Sequence, residues 1–302
     1  MPLLHTFQPI SLAACEHLVS LLPGCGGAVA TFKRKDGHGQ WADVFDTRPH
    51  ASRAGPFALG CNVLAPFSNR ISGGGFAIDG RFHALKPNID GEPFPNHGNA
   101  FSSAWRVAEQ SETSAELSLD AEGPGPFRYH GRLTYALSDQ GLSAELVLTN
   151  KGRVRLPFGG GFHPWFPRTP QTRLRFGAAG VWTETSEHLP DQFLTLDTAP
   201  IHHYRDGRVL SDGFFNVAYA GWDGQAEIVW PEMGMGLVMQ ADQPLDVLML
   251  YTPGGDAGFV SLEPVSHTVD AHNRSGTGVV APLVLEPDAD LKLTMRLRPY
   301  LL

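Results

Sequence analysis

Three residues of this 302-residue chain are of a type and in a setting suited to moving protons: Glu263, His163 and His97. Glu263 closes the apolar run Phe259-Val-Ser-Leu-Glu263-Pro264-Val265. A carboxyl placed there is partly desolvated, which lifts its pKa toward that of a useful general base. A plain strand-end carboxylate beside a proline turn fits the same run. His163 sits in Phe158-Gly-Gly-Gly-Phe162-His163-Pro164-Trp165-Phe166, where the glycines are expected to clear space for a ligand. The neighbouring aromatic faces, Trp165 among them, suit C–H surfaces such as those of a sugar ring. A hydrogen-bonded core histidine in a turn is the competing reading. His97-Gly98 follows Pro93-Phe-Pro95-Asn96 and reads as a loop. Loops on a rigid scaffold concentrate function, although a lone loop histidine is often only solvated. Asn69-Arg70 and Asp212-Gly213 complete the set, with a surface cation and an ordinary turn as their plainer readings.

Other chemistries leave no trace. There is no Gly-x-Ser-x-Gly elbow, no phosphate loop ending in Gly-Lys-Ser/Thr and no His-Glu-x-x-His. A net charge of -8 argues against a nucleic-acid partner, which needs a basic footprint, and against an anionic membrane surface. The three cysteines, Cys15, Cys25 and Cys61, lack metal-ligand spacing and form no disulfide framework, so a reduced, cytoplasmic setting is expected. Leu12-Ala13-Ala14-Cys15 has the look of a lipoprotein cleavage box. However, no Lys or Arg precedes it, and His5, Gln8 and Pro9 interrupt any apolar region, so export is not expected. No apolar run approaches the ~20 residues that a spanning helix requires.

The elements that must position these residues read as strands. The chain has 34 Gly and 24 Pro, spread as turns between short strands would spread them. Tyr129, Gly131, Leu133, Tyr135 and Leu137 alternate with polar residues, Ser138-Asp139-Gln140-Gly141 turns, and Leu142 to Leu148 resumes the period of two. Leu291, Leu293, Met295 and Leu297 repeat the pattern near the end. Gly73 to Asn99 reads as a short hairpin followed by a long loop. Leu12 to Leu22 is the one stretch that fits a helix, with Leu12, Cys15, Val19 and Leu22 on one face, and a strand fits it equally. No linker or repeat stands out. The chain therefore reads as all-β, one domain over residues 1–302, a large antiparallel sandwich.

The pieces, taken in order, resemble the aldose 1-epimerase (galactose mutarotase) family over almost the entire chain. They are Leu18 to Gly27 with its Pro/Gly turn, Asn69-Arg70-Ile71 with the Gly73-Gly74-Gly75 hairpin, and His97-Gly98 followed by Trp105. His163-Pro164-Trp165-Phe166, Asp212-Gly-Phe-Phe215, Glu263-Pro264 and Asp270-Ala271-His272-Asn273 follow. The resemblance implies an antiparallel β-sandwich with an active site in a cleft on one face. It implies Glu263 as the base that takes the proton from the anomeric hydroxyl and His163 as the acid that protonates the ring oxygen. His97 would support that oxygen, with Arg70 and Asp212 holding sugar hydroxyls and Asn69 and Trp165 beside them. Asp223 in Trp222-Asp223-Gly224 competes with Asp212. The galactose enzymes of the family have Asp-His-Asn-Phe where this chain has Asp212-Gly213-Phe214-Phe215, which points to a broader branch.

The implied partner is a small free sugar, the assembly a monomer or homodimer, and no metal, nucleotide or covalent intermediate is needed. A hexose-6-phosphate 1-epimerase would need added cations, for which Arg53, Arg81 and Arg168 are candidates. A non-catalytic sugar-binding regulator would not need an acid–base pair. A two-proton mechanism on one ring carries a geometric expectation. Glu263 and His163 should face one void, too far apart to bond each other tightly, with His97 on the side of His163 and Arg70 at the rim.

Overall fold

Period-two alternation organises nearly every element of the computed structural model, which describes residues 8–50, 53, 55–254 and 257–302 and so leaves out His5. Strands Arg128–Ser138 and Gly141–Asn150 pair antiparallel with Ser138 opposite Gly141, so Asp139 and Gln140 alone make the turn. Their neighbours include the long C-terminal strand Asp290–Leu301, whose Leu291, Leu293, Met295 and Leu297 are all buried. These belong to a nine-stranded sheet, and a second sheet of eleven strands packs its inner face against it. The ladders are antiparallel throughout. Among the described residues the helical pieces are five 3-10 turns of three or four residues. No helix among them is long and apolar enough to cross a membrane.

The N-terminal ambiguity resolves to strands. Ile10–Ala14 and His17–Leu22 form a tight hairpin in which Leu12 faces Val19. Ile10, Leu12, Val19 and Leu21 are buried while Cys15 is exposed, so the helical stripe that includes Cys15 is not the buried one. The expected hairpin in the glycine-rich region is Gly75–Ile78 with Arg81–Ala84.

The middle of the eleven-stranded sheet differs from the rest. It runs Cys61–Leu64, Gly161–Pro167, Phe259–Val265, Val247–Thr252, Phe215–Ala220 and Gly180–Glu184 in spatial order. Every residue of Gly161–Pro167 and Phe259–Val265, hereafter the histidine strand and the glutamate strand, is buried. One face of each lies on the sandwich core, through Phe162, Phe166, Val260 and Leu262. By the alternation of side chains along a strand, His163, Trp165, Ser261 and Glu263 occupy the other face. Loops cover that second face, and polar residues placed there are desolvated without entering the core.

Candidate active site

The register of two neighbouring strands brings His163 and Glu263 together. The ladder pairs Gly161 with Val265 and Trp165 with Ser261, which sets His163, midway, opposite Glu263, also midway. Directly opposed residues on one face have Cβ atoms about 4.5–5.5 Å apart, so their side chains must meet. His163 Nε2 lies 3.2 Å from Glu263 Oε1. This corrects the expectation that the two stand too far apart to bond. Both line one cavity, but as cross-strand neighbours they stand side by side at bonding distance. Each is followed by a proline, and the recorded pairing of these two strands skips the stretch around Pro164 and Pro264. A proline has no N–H to give to a ladder.

The run of glycines before His163 has a different cause from the one the sequence suggested. A Cβ at Gly159 would overlap His267, one at Gly160 the Leu64 carbonyl and one at Gly161 the Pro264 carbonyl. The glycines let neighbouring chain segments close in, and the room they make is filled by protein.

The protonation of the pair follows from burial. Desolvation, with a backbone hydrogen bond opposing it and the Arg53 charge adding to it, lowers the His163 pKa to about 3. Burial raises Glu263 to about 8, with the Arg70 charge pulling the other way. At neutral pH the pair therefore holds one proton and no net charge, so the contact is no ion pair. A chain of hydrogen bonds fixes its direction. The Ser261 hydroxyl donates to the Pro164 carbonyl at 2.8 Å, so at 3.1 Å from His163 Nδ1 it accepts. That places the ring hydrogen on Nδ1 and leaves Nε2 bare toward Glu263.

His97 reaches the same place from a loop. Its ring centroid is 5.6 Å from that of His163. Its Nδ1 accepts the Asn69 backbone N–H at 3.0 Å, which in the neutral ring leaves a donor at Nε2. Burial, and then the neighbouring His163 and Arg70, hold the His97 pKa well below the usual value. Asn69, His97 and Asp270 all adopt left-handed backbone, with φ of 54°, 60° and 55°. Non-glycine residues do so rarely, and they cluster where neighbours over-determine the chain. The neighbours here are visible. His97 N–H bonds to the Asn69 carbonyl and Asp270 N–H to the Arg70 carbonyl, while the Asp270 carboxylate takes the Ser72 N–H and hydroxyl. Gly98, left-handed and pressed against the Ala65 carbonyl, admits no side chain.

Glu263, His163 and His97 line one cavity of about 380 Å³, together with Asn69, Arg70, Trp165 and an outer ring that includes Glu92, His188, Phe214 and Asn216. Trp165 stacks on His163 with centroids 4.4 Å apart, and Phe259 backs it from behind. Arg70 is held by two hydrogen bonds to Glu92, of 2.9 and 3.0 Å. Asp212 is not brought to the cavity. Its side chain is 98% exposed and pairs with Arg168, while Phe214 of the same segment does reach the cavity wall. Asp223 lies in a separate groove beside Arg175 and Arg205. The candidate cations for a phosphate are also elsewhere. Arg53 is buried behind Trp165 and bonded to Asp46, Arg168 is committed to Asp212 and Thr252, and Arg81 is exposed on its hairpin. Among the described residues no group of three His, Cys, Asp or Glu side chains is placed to hold a metal ion.

Sequence reasoning missed Ser261, Glu92, Glu184, His188 and Asn216. Ser261 carried a signal, because it stands two residues before Glu263 and so shares its face. Glu92, Glu184 and His188 come from polar loop and strand-end segments that resemble ordinary surface, and Asn216 is a lone amide in the apolar strand Phe215–Ala220.

A family model described as aldose 1-epimerase matches residues 10–298. The Escherichia coli K12 protein YphB, of uncharacterised function, is 31% identical over 267 residues, which cover 86% of this chain and 91% of that protein. A crystal structure of an E. coli K12 protein provisionally described as an aldose 1-epimerase superposes with a TM-score of 0.88 at 28% identity, covering 98% of this chain and 99% of the other. A galactose mutarotase-like protein from Clostridium acetobutylicum shares the fold, with a TM-score of 0.83 at 18% identity over 97% and 95% of the two chains.

Proposed function

The chain belongs to the aldose 1-epimerase family, and from that premise we propose that it interconverts the α and β anomers of a free aldose by opening and reclosing the sugar ring. The observation that carries this reading is the buried Glu263–His163 pair, set side by side at 3.2 Å facing one cavity. Breaking the hemiacetal bond needs one proton taken from O1 and one delivered to the ring oxygen, two atoms bonded to the same carbon. Two functional groups about 3 Å apart can each reach one of those oxygens at hydrogen-bond distance.

The proton count supports the same reading. The working form has the carboxylate of Glu263 bare and His163 protonated, one proton in all. The resting pair holds that same proton on Glu263, and transfer across the contact exchanges the two forms. Glu263 then takes the O1 proton, His163 gives its own to the ring oxygen, and the C1–O5 bond breaks to leave the open aldehyde. Rotation about C1–C2 and reclosure on the other face reverse the transfers. The donor at His97 Nε2 is suited to steadying the ring oxygen as charge builds there. Ser261 is a positioning residue, acting through His163.

The substrate is a neutral sugar. Arg70 is the sole lysine or arginine among the described residues lining the cavity, and Glu92 already neutralises it. A phosphorylated sugar would meet no free cation. Polarimetry on fresh α-glucose, α-galactose, xylose, arabinose and glucose 6-phosphate tests the proposal. Faster mutarotation of at least one free sugar is expected, and no acceleration of any would overturn it.

A further inference from the structure

The proposed chemistry leaves one part of the cavity unused. Asn216 and His188 line it, and a narrower recess that shares Asn69, His188 and Asn216 with it extends to Glu184. Phe215–Ala220 lies two strands from the glutamate strand and Gly180–Glu184 three. At about 4.8 Å per strand, Asn216 and Glu184 stand about 10 and 14 Å across the sheet from Glu263. The registers carry Trp165, Ser261, Tyr251 and Asn216 in one row across the cavity face.

The three side chains are bonded to one another in a way that fixes what they leave free. His188 Nδ1 lies 2.9 Å from Glu184 Oε2, and Asn216 Nδ2 donates to the same oxygen at 2.6 Å. Each spends one hydrogen on that carboxylate oxygen. Glu184 Oε1, Asn216 Oδ1 and, in the neutral ring, His188 Nε2 remain as acceptors, and the second Asn216 N–H is the one donor left beside them. The backbone holds them there. The pairing of Gly180–Glu184 with Pro190–Thr195 shifts register between Trp182 and Glu184, and such a bulge re-aims a side chain. His188 is left-handed at φ 60°, in a turn whose Thr185 hydroxyl accepts the N–H groups of Glu187 and Leu189.

We infer that Glu184, His188 and Asn216 form a second subsite that takes hydroxyl protons from the end of the sugar remote from its anomeric carbon, and that it refuses phosphate and carboxylate at that end. Three acceptors beside a single amide donor match neighbouring hydroxyls, each of which brings a proton. An anionic group brings none and meets a carboxylate. This inference rests on the reading of the cavity as a sugar site, and it deepens that reading by naming which sugars fit.

The test separates binding from turnover. The 1,5-anhydro alditols of glucose and galactose, and 4-deoxyglucose, are titrated calorimetrically into the full chain and its Glu184→Gln and Asn216→Ala variants. Mutarotation of the parent aldoses is followed in parallel. Anhydro sugars have no anomeric hydroxyl, so their binding is measured without turnover, and the variants report the subsite's share of it. Each variant is expected to bind the preferred anhydro sugar about tenfold more weakly or worse, the cost of a hydrogen bond to a charged or buried acceptor. Deleting the 4-hydroxyl should cost the wild type more than it costs the variants, as coupled partners require. Unchanged binding in both variants would overturn the subsite while leaving the epimerase reading intact. Variant-sensitive binding without any mutarotation would sink the epimerase reading and keep the subsite. Binding of glucose 6-phosphate as tight as that of glucose, or no binding of any neutral sugar, would also overturn it.

Discussion

The cavity and the recess that opens from it hold two glutamate–histidine contacts, and they behave differently. Glu263 and His163 come from the two central, doubly covered strands and have side chains 5% and 7% exposed. Glu184 and His188 come from an outer hairpin, four residues apart, and have side chains 19% and 42% exposed. Burial drives the first pair to opposite extremes, an acid raised to about 8 beside an imidazole lowered to about 3. Burial raises Glu184 as well, but hydrogen bonds from His188 and Asn216 pull the other way. The same two residue types therefore make a proton-sharing pair in one setting and a cluster of acceptors in the other. Solvent access and the second bond made by each histidine decide which.

The largest effect expected from breaking this contrast is at the buried pair. Glu263→Gln keeps the shape and removes the exchangeable proton, so kcat should fall about 10²–10⁴-fold with sugar binding largely retained. A variant that keeps most of its kcat removes Glu263 from the chemistry. Glu184→Gln should act on binding instead, and a loss of kcat as deep as that of Glu263→Gln would erase the distinction drawn here.

The pH profile sharpens the contrast next. The buried pair holds its single proton between its two pKa values, so kcat/KM should form a plateau across neutrality. Above about 8 Glu263 loses the shared proton and activity should fall about tenfold per unit. Below about 3 His163 also protonates and no base is left. The limbs belong to the pair and not to either residue. Stopped-flow polarimetry from pH 6 to 10 on folded protein checks the alkaline limb, and a flat profile there contradicts the neutral pair.

Smaller still is the effect of the hydroxyl behind His163. Ser261→Ala should lower kcat about tenfold with little change in KM, because His163 loses the acceptor that fixes its tautomer. Ser261→Thr should restore most of the activity, which a purely steric role at this buried site would not allow. The smallest effect is expected at Asp212. Its side chain is solvent-exposed and does not line the cavity, so Asp212→Ala should stay within about twofold of wild type in kcat/KM.

These contrasts also explain what could be read from the sequence. His163 and Glu263 stood out because a polar residue inside an apolar run is desolvated wherever the run folds. Their contact did not, because strand register is set by long-range pairing that no local pattern carries. The all-β sandwich was legible from alternation, which is local. The helix offered for Leu12 to Leu22 shows the limit, since its apolar residues satisfy both periods over so short a span. Asp212 was placed by the order of motifs. Order fixes the segment, and Phe214 of that segment does reach the cavity, but it does not fix which side chain turns inward. Glu184 and His188 left no mark because they lie at a polar strand end and turn that resemble ordinary surface, and Asn216 left none because a lone amide in the apolar strand Phe215–Ala220 offers no acid or base.

The opposition of Gly161 with Val265 and of Trp165 with Ser261 also has a consequence for how the chain assembles. Slipping the glutamate strand by one residue would turn Glu263 into the sandwich core and bring Leu262 into the cavity. Chemistry and correct strand alignment are therefore inseparable in this protein. On the proposed function, a refolded sample would count its own correctly aligned molecules through the sugar it turns over. Specific activity per folded chain then measures alignment fidelity, where circular dichroism would score a slipped sheet and a native one alike.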